Sequence, residues 1–145
     1  MMISMPSEQP LRLQLVFLTG QSDPRCCALS VQQQAFGQAL LAPGRGLRMQ
    51  NFPYREETSE HTSVPLWRAS WHNTAQYLES RRTGFVRRYQ DAVLKMLNAA
   101  PHTLLLTGSC GLELLANLAL PAEARRRISV LAYGPVARRP PECAR

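Results

Sequence analysis

Lysine is almost missing from this chain: Lys95 is the only one among 17 basic residues, so the net charge of +7 is carried by arginine. A positive balance permits anionic partners. It equally fits a biased genome composition, and it says nothing about fold. Long apolar runs are missing too. None approaches the roughly 20 residues that cross a bilayer, so no membrane partner is expected. The first apolar stretch, residues 11–18, contains Arg12 and Gln14, and the segment before it carries Glu8 but no Lys or Arg. That is a poor secretory signal, and a cytoplasmic location is expected. Paired-cysteine motifs are also absent. Cys26 and Cys27 are adjacent, while Cys110 and Cys143 stand alone. This spacing gives neither a C-x-x-C metal pair nor a disulfide framework, and reduced thiols are expected. Glu57 and His61 have helical metal spacing, but no second histidine completes a site, so neither metal nor cofactor is expected.

What remains suits one domain. The 145 residues are 45% apolar, enough for a single core. Residues 1–10 and 136–145 read as loose tails. Residues 11–18, bounded by Pro10 and Gly20, read as a buried strand. Residues 28–41 fit a helix, stopped by Pro43-Gly44, and residues 47–52 a short strand ended by Pro53. Residues 54–73 read as a long loop with a helical turn around Trp67 to Trp71. Residues 74–99 form the longest helical pattern, with Gly84 marking a break near its start. Residues 103–106 read as a strand, 112–120 as a helix buried on most sides, and 128–133 as another buried strand.

Strands that alternate with helices imply a parallel sheet covered on both faces, so the expected fold class is a three-layer α/β sandwich. Ligands of such sheets bind at the carboxyl ends of the strands. Gly20-Gln21-Ser22, Pro53-Tyr54, Gly108-Ser109-Cys110 and Gly134-Pro135 all fall at that edge.

One of these loops carries the chemistry. Thr107-Gly108-Ser109-Cys110-Gly111 lies between an apolar strand and a buried helix, with a serine at its apex. The bland reading is a small residue in a tight turn. The functional reading is a nucleophile projected past the sheet. The motif and its flanking elements resemble the nucleophile elbow of the α/β-hydrolases, whose pattern is G-x-S-x-G. Thr107 stands where that family has its first glycine.

The resemblance implies an incomplete hydrolase acting on an ester or thioester, with a small acyl substrate. Ser109 would be the nucleophile, and the backbone N–H of Cys110 an oxyanion donor. Gln21 matches the position of the second donor. The family's acid and histidine follow its serine, whereas His61, His72 and His102 all precede Ser109 here. His72, beside Trp71, is the best-placed base in sequence terms; His102 starts the elbow strand and belongs to the opposite end of the sheet. The alternative is a non-catalytic ligand- or partner-binding module on the same fold. Arg81, Arg82, Arg87 and Arg88 read first as a solvated face, since no nucleic-acid module accompanies them. An open sheet edge after Tyr133 leaves room for a homo-oligomer.

Overall fold

Residues 13–19 alternate between two apolar clusters, and that alternation builds the molecule. Leu15 and Phe17 join Leu29, Leu47 and Leu106 on one face; Val16 and Leu18 join Val93, Leu97, Leu105 and Leu114 on the other. A strand buried on both faces reads as a continuous apolar run, as parallel strands do.

The computed structural model describes residues 3–4, 9–20, 26–51, 65–135, 137–139 and 141–143. Five strands, β1 (Ile3–Ser4), β2 (Leu13–Thr19), β3 (Arg45–Asn51), β4 (His102–Ser109) and β5 (Ile128–Pro135), form one sheet in the order β1-β3-β2-β4-β5. β3, β2, β4 and β5 are mutually parallel; only the two-residue β1 runs antiparallel, against β3. The expected α/β architecture is therefore present. The helices are α1 (Val31–Ala39), α2 (Leu66–Glu79), α3 (Thr83–Leu97), α4 (Gly111–Asn117) and α5 (Ala122–Arg125). Gly37 of α1 lies against Leu47 and Phe17, on one face. α3 and α4 supply Val93, Met96, Leu97, Leu114 and Leu115 to the core on the other. Among the described residues, no helix is long and apolar enough to cross a membrane.

Three local readings change. The segment expected to be a loop before residue 74 is helical from Leu66 onward. This helix has no fully buried residue, so its apolar positions divide between two faces and the periodicity blurs. The expected long helix is interrupted at Ser80, before Gly84 rather than at it. Ser80 is buried; its hydroxyl donates to Tyr77 O (2.8 Å) and accepts from Asn117 Nδ2 (3.1 Å), which ties the break to α4. The described part of the C-terminal segment is anchored rather than loose. Arg138 Nε donates to Glu113 Oε1 at 2.8 Å, Arg125 Nη1 lies 2.9 Å from Glu142 Oε2, and Cys143 packs against the core.

Candidate active site

The four parallel strands end at Thr19, Asn51, Ser109 and Pro135, all on one edge of the sheet. The chain runs from β2 outward to β3, then returns past β2 to β4. That reversal sets the ends of β2 and β4 side by side, the position at which parallel sheets of this kind bind ligands. Asn51 ties one side of it. Its Oδ1 accepts from Thr19 N (2.9 Å) and its Nδ2 donates to Thr19 O (3.1 Å). Of the loops expected at this rim, Gln21-Ser22 and Pro53-Tyr54 lie outside the described residues, as does His61.

Ser109 sits at the tip of β4, half-buried, with a φ of 51°. Left-handed backbone is uncommon for a residue that is not glycine, and it marks a local constraint. The β4–β5 register slips between Gly108 and Ser109, and α4 begins two residues later. The turn is sharp because α4 starts almost on β2: a Cβ on Gly111 would run into the Leu18 carbonyl oxygen. At the end of β2, a Cβ on Gly20 would collide with Asn73 Oδ1 and Cys110 Sγ. α2 therefore crosses the rim at Asn73. The Asn73 Oδ1 is itself buried and accepts no hydrogen bond. Thr107, in place of the motif's first glycine, is fully buried and keeps its pairing with Leu18 and Ala132.

The Cys110 thiol is buried and protonated. The residue is 2% exposed; burial, reinforced by the Glu113 carboxylate and only partly offset by a backbone hydrogen bond, pushes the thiol up to about 11. Such a thiol stays protonated at neutral pH and is a poor nucleophile. Glu113 is buried as a charge with partners. Arg138 N donates to Oε2 (3.1 Å), and Arg138 Nε (2.8 Å) and Asn117 Nδ2 (3.1 Å) donate to Oε1. Burial raises its pKa, but these donors and the Arg138 charge outweigh that and hold the carboxyl below its ordinary value. Those bonds direct Glu113 to the C-terminal segment.

The histidines divide as their elements dictate. His102 opens β4, opposite Leu13, at the far end of the sheet, with Nε2 2.9 Å from Ser129 Oγ. His72 is half-buried on α2, next to Asn73, on the helix that crosses the rim. Among the described residues, none hydrogen-bonds the Ser109 hydroxyl, and no cluster of His, Cys, Asp or Glu is arranged to hold a metal ion.

Two rim residues escape a sequence reading. Asn73 is a polar residue within a segment that reads as loop up to that point. Tyr133, near the end of β5, lays its ring tip over Gly108, one residue before Ser109, with its hydroxyl 3.5 Å from Gln33 Nε2. The cross-strand register that pairs Tyr133 with Gly108 belongs to the fold alone. A groove of about 460 Å³ lies elsewhere, between α2 and α3, away from the serine turn. The chain matches no family model, no curated relative and no solved structure.

Proposed function

We propose that this protein carries out acyl transfer on an ester or thioester in the manner of an α/β-hydrolase, with Ser109 as nucleophile. One observation carries the reading: a serine with positive φ at the tip of a central parallel strand, at the point where strand order reverses. Ser109 Oγ attacks the acyl carbonyl and its proton passes to a base, for which His72 on α2 is the candidate. The developing oxyanion is met by the backbone N–H of Cys110; Gln21, the second donor by resemblance to the family, lies outside the described residues. Collapse expels the alcohol or thiol with a proton, and water then releases the acid and restores the serine. In this reading the substrate is small and cytoplasmic, and no cofactor or nucleic acid takes part. Hydrolysis of a short-chain aryl ester tests it. Turnover should vanish in Ser109→Ala and fall sharply in His72→Ala. Equal turnover in wild type and Ser109→Ala would remove the proposal.

A second reading, a non-catalytic binding module, is favoured by one fact: the Ser109 hydroxyl takes no hydrogen bond from the described residues. A serine without a base is a weak nucleophile. That reading expects Ser109→Ala to bind every ligand of the parent chain unchanged.

A further inference from the structure

The outer face of α2 points away from the rim. Trp71, Ala75 and Leu78 follow one another at helical spacing and share that face, while Asn73 and Tyr77 turn inward to Gly20 and the core. With Phe85 of α3 they line an open groove of about 460 Å³. That volume falls among small-molecule sites, roughly 300–1,000 Å³. Trp71 is 71% exposed and Leu78 51%, whereas Phe85, at 4%, belongs to the core. Exposed tryptophan and leucine above a buried phenylalanine leave apolar surface in water that an apolar ligand would cover.

The groove's charges narrow the ligand further. Glu79 and Arg82 are its ionised lining residues. Glu79 Oε1 lies 4.0 Å from Arg88 Nη1 and is partly offset by it. Arg82 is exposed and has no ion pair among the described residues. The neighbouring arginines are engaged: Arg81 lies over the Tyr77 ring at 6.0 Å, Arg68 over Trp67 at 5.7 Å, and Arg88 over Tyr89 at 5.4 Å. A single guanidinium in the lining of a concave apolar groove suits a single anionic head on an apolar chain. A membrane or nucleic acid would call for a broad field of free cations.

We propose that this groove binds a linear fatty carboxylate of medium chain length, its tail along Trp71, Ala75, Leu78 and Phe85 and its head on Arg82. A guanidinium presents two parallel donors that match a carboxylate. The site is separate from Ser109 and independent of the catalytic reading, since it uses the opposite face of α2.

Decanoate and decanol, each added to the full chain below its aggregation limit, test the proposal by tryptophan fluorescence and calorimetry. Decanoate should bind saturably and about 10-fold tighter than decanol. Arg82→Gln should erase that preference, and Leu78→Asp should abolish both while leaving the circular dichroism unchanged. Absence of saturable binding, equal affinity for the two ligands, or decanoate binding that survives Leu78→Asp would overturn it. So would a dimer that Leu78→Asp dissociates, because the groove would then belong to a second copy of the chain.

Discussion

Gly111 is the residue on which the serine turn depends. A side chain there meets main chain, the Leu18 carbonyl, rather than a flexible group that can move aside. Gly111→Ala should therefore destabilise the fold by about 1–3 kcal/mol, the usual range for an added methyl in a packed site, read as a lower urea midpoint with an unchanged slope. Glu113 makes a different kind of residue-scale claim. Its carboxylate is 1% exposed and accepts from three donors. Glu113→Gln should cost about 1.5–3 kcal/mol at neutral pH, as hydrogen bonds to a charged group do. The pH dependence follows from the direction of the shift. The folded carboxyl lies below its unfolded value of about 4.3, so its stabilisation is complete above that pH. It is lost as pH falls through the lower folded value. The gap in urea midpoint between wild type and Glu113→Gln should narrow below about pH 4.3; a gap that widens there would contradict the assignment. The sequence shows Glu113 and Asn117 as a polar strip on a buried helix. It cannot show Arg138, 25 residues on, as the partner that makes burial tolerable.

At the scale of elements, legibility follows burial. β2 and β4 are readable because both faces are apolar, whereas β5, expected as a buried strand, is buried only at Ile128 and leaves Leu131 and Tyr133 exposed on the sheet's edge. β4 runs on to Ser109 because Thr107 and Gly108 keep pairing with β2 and β5. α2 is not readable in the same way. It offers one face to the rim and another to solvent, and neither is a clean stripe. β1 has two residues and is held through its backbone pairing with β3, which leaves no pattern to read. α1 is short and weakly amphipathic, and its start is fixed chemically. Ser30 Oγ accepts from Gln33 N (3.2 Å), and Gln33 Oε1 accepts from Ser30 N (2.9 Å), a reciprocal cap. Ser30→Ala should cost about 1 kcal/mol by urea unfolding. Gln33 also reaches Tyr133, so this cap holds α1 beside the strand that borders the serine turn.

Taken whole, the molecule is a small doubly wound sheet whose chain reversal places two loops side by side. Composition and alternation foretell that arrangement, and the motif at Ser109 foretells the strand-turn-helix there. Neither foretells Asn73, since a helix crossing the rim is set by how α2 packs, not by local sequence. The central claim is that Ser109 is an activated nucleophile. Exposure of the folded protein to a fluorophosphonate, followed by peptide mass mapping, tests it most directly. The account predicts a single adduct on Ser109, formed in the native state, abolished by prior unfolding and slowed in His72→Ala. A native protein that stays unlabelled, or that is labelled as readily after Ser109→Ala, would contradict it.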